Sequence, residues 1–137
     1  MVNDLITLFK YQATDNIRFA VHGKADTSVM LPEIEFRQAL LNLLQNAVQA
    51  IGTRNGSVEV DIAQNDQQLS VSVIDSGDGF GEEFLRQGIR PFVSLKEKGS
   101  GLGLVMVQRF AKDLSGQLKL DNDAAGHGRV TLTLPMT

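Results

Sequence analysis

Asn42 and Asn46 stand one helical turn apart in the uncharged run Leu-Asn-Leu-Leu-Gln-Asn-Ala-Val, and residues at i and i+4 share a helix face. Asparagine is a poor helix former, up to about 0.7 kcal/mol worse than Ala, so a pair of them asks for a purpose. Amide oxygens are neutral hard donors that can face a cation or a polar ligand; a helix with a merely uncharged surface is the competing reading. Asp75-Ser-Gly-Asp-Gly79 follows directly on an alternating apolar segment. A carboxylate at such a strand end can accept from an amine, for example the exocyclic amino group of adenine. Gly77 and Gly79 open backbone conformations that other residues resist. A turn that simply needs glycine, with Asp as turn former, is the alternative. Gly99-Ser-Gly-Leu-Gly103 leads into a further helical run, where backbone N–H groups and the helix dipole favour an anion. A hinge ahead of a helix would look the same. Lys96 and Lys98 just before it are either counter-charges for that anion or ordinary solvated lysines.

Composition closes off other chemistries. The 137 residues contain no cysteine, so disulfides, thiolate metal sites and a Cys nucleophile are excluded. His22 and His127 lie far apart without ligand spacing, which argues against zinc. A net charge of −3 lacks the basic surplus of a nucleic-acid-binding module. No apolar run approaches the roughly 20 residues of a membrane span, and no signal-peptide pattern opens the chain. We expect one cytoplasmic globular domain over residues 1–137, either a natural start or an excised piece, with no membrane contact of its own. The glycine run is not a Walker loop, which would end Gly-Lys-Ser/Thr. Nor is it a dinucleotide fingerprint, which needs Gly at 104 and a preceding apolar strand. The signature set of the Ser/Thr/Tyr kinases is absent as well.

The elements that position these residues are legible from periodicity. Phe36, Leu40, Leu43, Leu44, Ala47, Val48 and Ile51 form one apolar face of a helix over 33–51, with Pro32 and Gly52 as its stop signals. Opposite them lies an uncharged polar stripe of Gln38, Asn42, Gln45, Asn46 and Gln49. A short first helix is expected from Leu5, Ile6, Phe9 and Ala13, a strand over 17–21, and a second short strand over 28–31. Residues 57–62 and 69–74 alternate cleanly and read as an antiparallel hairpin turning through 64–68. Residues 82–87 suggest a helical turn and 88–98 a mobile loop. A third helix carries Leu104, Val107, Phe110, Ala111 and Leu114, with Gly116 as its C-cap glycine. Strands over 117–121 and 130–134 close the chain. The fold class is α+β: three helices on one face of a mixed, mostly antiparallel sheet.

In chain order, Asn42-Leu-Leu-Gln-Asn-Ala-Val-Gln-Ala50, Asp75-Ser-Gly-Asp-Gly79, Arg90-Pro-Phe-Val-Ser94 and Gly99-Ser-Gly-Leu-Gly-Leu104 resemble the N, G1, F and G2 boxes of the GHKL superfamily. That superfamily comprises sensor histidine kinases, gyrase B, mismatch-repair MutL and heat-shock chaperones. The chain is most similar to the catalytic ATP-binding domain of two-component histidine kinases, nearest the nitrogen-regulation (NtrB-like) branch, and the resemblance covers nearly its whole length. It implies the two-layer α/β sandwich called the Bergerat fold and a site for ATP and Mg²⁺. Asn46 would be the Mg²⁺ ligand, with Asn42 beside the triphosphate. Asp75 would accept from the adenine amino group, with Gly77 and Gly79 admitting the base. Residues from about 80 to 100 would form the ATP lid, anchored by Phe92. Lys96, Gly99, Gly101, Leu102 and Gly103 would line the phosphates.

The sequence also departs from the superfamily pattern. Members that hydrolyse ATP place Glu one turn before the Mg²⁺ asparagine; here that position is Asn42, and an amide is no general base. Gln49 replaces the Lys of many histidine kinases, as in the nitrogen-regulation-like branch, whose short lid it shares. Arg129 stands where the last strand often has a small residue, so Thr131 and Thr133 receive no role. Neither His22 nor His127 matches a phosphoacceptor. The resemblance therefore implies transfer of the γ-phosphoryl group to a histidine on a separate dimerisation domain, with a response regulator downstream. A GHKL ATPase, an anti-sigma-type serine kinase and a non-catalytic nucleotide-binding module remain as alternatives.

Overall fold

A long helix, α1 (Glu33–Ile51), lays its apolar stripe on a five-stranded sheet. The computed structural model describes residues 16–23, 32–89 and 103–135. The remaining elements are β1 (Ile17–His22), β2 (Gly56–Gln64), β3 (Gln68–Asp75), α2 (Glu82–Gln87), α3 (Gly103–Asp113), β4 (Gln117–Asn122) and β5 (Gly128–Pro135). The strand order is β1-β2-β3-β5-β4. Among the described residues the β1–β2 pair is parallel and the other three pairs are antiparallel. The mixed, mostly antiparallel sheet of the sequence reading is therefore observed.

Strand alternation decides which face is dry. Val58, Val60 and Ile62 of β2, Leu69, Val71 and Val73 of β3, and Val130, Leu132 and Leu134 of β5 are buried. Their alternate neighbours Glu59, Asp61, Ser70, Ser72, Arg129 and Thr131 point to the opposite face. On α1, Phe36, Ala39, Leu40, Leu43, Leu44, Ala47 and Ile51 are buried against the sheet, and Val48 is partly buried. Fully burying one such Leu contributes about 1.5–3 kcal/mol, so this stripe dominates the fold's stability. Val107 and Ala111 of α3 join the same core, and α2 adds Phe84 and Leu85 at its edge. Residues 82–87, read from the sequence as a helical turn, form the short helix α2. The first helix and the strand over 28–31 lie outside the described residues.

Helix ends follow the local chemistry. The Phe36 N–H donates to Pro32 O at 2.9 Å, and Gly52, at φ 69°, donates to Val48 O at 3.0 Å. Glu33 and Glu35 place negative charge on the first turn of α1, where the dipole favours it. At the end of α3 the expectation needs correction. The residue with positive φ is Ser115, at 62°, and not Gly116. Ser115 N–H donates to Lys112 O at 3.0 Å and Gly116 N–H to Ala111 O at 2.7 Å, the paired bonds of a Schellman motif. Gly116 is required for a different reason: a Cβ there would stand 2.2 Å from Thr133 O on β5.

Candidate functional site

Asp75, the last residue of β3, is 4% exposed. It is the buried charged residue of the core among the described residues, and its Oδ1 accepts from the Gly77 N–H at 2.9 Å. The β2–β3 pairing runs one step past it: Ser76 N–H donates to Ser57 O at 3.0 Å, and Ser57 N–H donates to Ser76 Oγ at 2.8 Å. The carboxylate is therefore fixed by sheet pairing on one side and its own turn on the other. Gly77 is buried, and a Cβ on it would lie 2.7 Å from the Ala50 carbonyl oxygen. That approach seats the turn on the last turn of α1. Gly79, at φ 80°, meets the β4–β5 turn: its Cβ would be 2.4 Å from Gly126 O. A side chain at Gly128 would stand 3.4 Å from Asp75 Oδ2 and 3.3 Å from the Phe80 ring. Gly128 is buried, and its lack of a side chain lets the Asp75 carboxylate and the Phe80 ring pack close to the start of β5.

On α1, Asn42 and Asn46 are half-buried, flanking the buried Leu43, Leu44 and Ala47. Gln38 Nε2 donates to Asn42 Oδ1 at 3.3 Å. Gly103, the first residue of α3, faces Asn42: a Cβ on it would come within 3.9 Å of the Asn42 Cβ. Farther along, the Phe36 and Phe110 rings lie 6.4 Å apart, so α1 and α3 run antiparallel with the N-terminus of α3 level with Asn42. Asn46 stands one turn after Asn42 and one turn before Ala50, where Gly77 rests. One seam thus runs along α1 from Gly103 at Asn42 to Gly77 and Asp75 at Ala50, with Asn46 between them on the helix, while Gly79 turns to the β4–β5 turn. Phe92, Lys96, Gly99, Gly101 and Leu102, like most of the expected lid, lie outside the described residues.

A family profile described as "Histidine kinase-, DNA gyrase B-, and HSP90-like ATPase" matches residues 32–137. The chain belongs to that family. Among curated relatives of this ATPase-family domain, Sporulation kinase C of Bacillus subtilis (strain 168) is 34% identical over 104 residues, covering 76% of this chain and 24% of the relative. A putative sensor histidine kinase, NtrY-like, of Rickettsia felis is 36% identical over 110 residues, covering 79% and 18%. The chain spans at most 24% of the length of these two kinases. The solved catalytic domain of histidine kinase ThkA, in a nucleotide-free form, superposes with a TM-score of 0.86 at 27% identity. The match covers 99% of this chain and 90% of that one. ThkA in complex with the response regulator protein TrrA superposes at 0.81 and 25% identity, covering 99% and 39%. The α+β sandwich read from the sequence is the fold of these histidine kinase catalytic domains.

Two residues that sequence reasoning missed tie the elements around this seam. Arg54 donates through Nε to Ile51 O at 3.1 Å and through a terminal nitrogen to Ala50 O at 3.1 Å. Its other terminal nitrogen reaches Asp78 Oδ1 at 2.9 Å. A basic residue just past a helix C-terminus was the available signal. Asn122, at the end of β4, accepts the Phe80 N–H at 2.7 Å and donates to the Phe80 carbonyl at 2.9 Å. No sequence pattern announces this contact across 42 positions. Elsewhere, Arg129 makes a two-point bond to Asp121, at 2.9 and 2.7 Å, on the outer face of the sheet. Hydrogen bonds from Arg129, reinforced by its charge and that of Lys119, hold the Asp121 carboxyl below the ordinary carboxylate range against the opposing effect of burial. Thr131 pairs with Ser72 across that face, its hydroxyl oxygen 2.9 Å from that of Ser72, away from the seam. His127 Nδ1 stands 3.9 Å from Asp123 Oδ2, and His22 ends the edge strand β1.

Proposed function

We propose that this chain binds Mg·ATP and transfers the γ-phosphoryl group to a histidine on a separate dimerisation domain, as the catalytic part of a two-component sensor kinase. The observation that carries the reading is the seat of Asp75. A buried carboxylate is bonded to Gly77, which packs on the last turn of the same helix whose Asn42 faces the start of α3. One end of that seam suits an aminopurine and the other a phosphate chain. The donor chemistry fits the absent groups. Neutral amide oxygens with water suit Mg²⁺, and a buried carboxylate suits the amino group of a base.

In this reading Asp75 accepts from the adenine amino group, its orientation fixed by the Gly77 N–H. Asn46 offers its carbonyl oxygen to Mg²⁺, and Asn42 lies beside the triphosphate. Mg²⁺, when bound, neutralises phosphate charge in a reaction that depends chiefly on positioning and electrostatics. Gly103 presents the N-terminal N–H groups of α3 to the phosphates. The contacts assigned to Phe92, Lys96, Gly99, Gly101 and Leu102, and the covering role of residues from about 80 to 100, rest on the superfamily resemblance. With an amide at position 42, the chain offers no base there to take a proton from water. The phosphoryl group then leaves ATP only when an imidazole nitrogen attacks: the P–N bond forms, the bond to the bridging oxygen breaks, and ADP departs with that electron pair. Passage onward to a response regulator is part of the same proposal, and ThkA's solved complex with TrrA is its support. Magnesium dependence and a cytoplasmic setting belong to it too; among the described residues no helix is long and apolar enough to cross a membrane.

Incubation of this chain with γ-labelled Mg·ATP and the histidine-bearing dimerisation domain tests the proposal. Acid-labile label on that histidine, abolished by chelation of Mg²⁺, is the expected result. Release of inorganic phosphate with no label on the partner would assign the chain to the hydrolytic members of the superfamily instead.

A further inference from the structure

We infer that Arg54 is a positioning residue that sets the spacing between the asparagine end and the Asp75 end of the site; the inference rests on the nucleotide-binding reading above. Its guanidinium spans the junction between two pieces of chain. Two nitrogens cap the Ala50 and Ile51 carbonyls at the C-terminus of α1, and the third reaches Asp78 in the Asp75–Gly79 turn. Ala50 O is also the atom on which Gly77 rests, 2.7 Å from where a Cβ would stand. Both ends of the site are therefore measured from one carbonyl: Asn46 lies a turn before it, and Asp75 is bonded to the glycine packed on it.

The tie is poorly placed to serve stability. The Arg54 and Asp78 side chains are 53% and 85% exposed, and an exposed ion pair contributes little. Its geometry is the more telling feature. A planar guanidinium engages three acceptors in fixed directions, whereas a lysine ammonium is a mobile point charge. The last turn of α1 contains no basic residue of its own. The backbone beneath Arg54 is anchored as well, since the Asn16 amide donates to Arg54 O and Gly56 N–H donates to Asn16 O at 2.9 Å. Arg54 thus fixes the turn on the helix without touching the places assigned to base, phosphate or metal.

A ligand that spans both ends feels their spacing, while a ligand that uses only one end does not. Calorimetry with a non-hydrolysable Mg·ATP analogue and NMR titration with adenosine separate the two on the intact chain. Arg54→Ala should weaken the analogue about tenfold, equivalent to about 1.4 kcal/mol, and leave adenosine nearly unchanged. Arg54→Lys should fail to restore it. Asp78→Ala keeps both helix bonds and should weaken the analogue by a few-fold, and its effect on top of Arg54→Ala should be smaller than its effect alone. If Arg54→Ala does not fold, Asp78→Ala decides alone. Equal losses for both ligands would mean general loosening and overturn the inference. Unchanged analogue affinity in the variants would do the same while leaving the nucleotide reading intact. A wild-type chain that binds neither ligand would remove both.

Discussion

Asp75 shows what a single side chain can do when the backbone around it is fixed. Its carboxylate reaches the interior because it continues the inward-facing series Leu69, Val71 and Val73 of β3, and the Gly77 N–H closes a turn back onto it. A buried charged group bonded to a ligand amine is worth about 1.5–3 kcal/mol. Asp75→Asn, which presents an amide where an acceptor is needed, should therefore weaken ATP binding by about ten- to a hundredfold. Asn46→Ala should do so only when Mg²⁺ is present, since its proposed role is to the ion. Calorimetry with and without chelator checks both. These residues were legible in the sequence because chemistry constrains their type and local spacing. Arg54 and Asn122 were not. Their work is done across 24 and 42 positions, and only the folded chain brings the partners together.

Elements were legible where periodicity was long. The α1 bounds and the β2–β3 hairpin follow from 3.6- and two-residue repeats, and six of the seven residues assigned to the α1 stripe are buried. Helix ends are harder to read, because the same pair of small residues can be used in two ways. At 115–116 the sequence places glycine second, and the steric demand of Thr133 O keeps it there. The left-handed position consequently falls to Ser115, at φ 62°, a conformation costing a non-glycine residue about 1 kcal/mol. Ser115→Gly should raise stability by about 0.5–1 kcal/mol, less what glycine adds to the entropy of the unfolded chain. Gly116→Ala should be clearly destabilising. Urea titration of the two variants distinguishes these opposite signs.

Across the molecule, the two faces of the sheet have separate tasks. The inner face carries the core and the seam proposed to hold nucleotide, and the outer face carries paired polar side chains, Asp121 and Arg129 among them. Because the Asp121 carboxyl is held below its ordinary range in the fold, its contribution is complete above the unfolded carboxylate value of about 4. It disappears as pH falls through the lower folded-state value. Wild-type stability should then decline more steeply than that of Asp121→Asn on acidification below about pH 4, while at neutral pH the variant should be the weaker. Urea midpoints across that range test the sign. Nucleotide affinity should be indifferent to the substitution, since the pair lies on the face away from the seam.

The two bonds between Asn122 and Phe80 have a spectroscopic consequence. A side-chain amide here occupies the place that a neighbouring strand's peptide group would take, so one loop residue is paired as if it belonged to a sheet. The Phe80 amide proton should exchange with solvent at a rate typical of a strand, although β3 itself ends at Asp75. Asn122→Ala should release it to loop-like exchange while the amides of β3 stay slow. The Phe80 ring and the Asp75 carboxylate both pack close to Gly128, so the Phe80 amide exchange rate would be a clock on the opening of that contact, readable without any ligand.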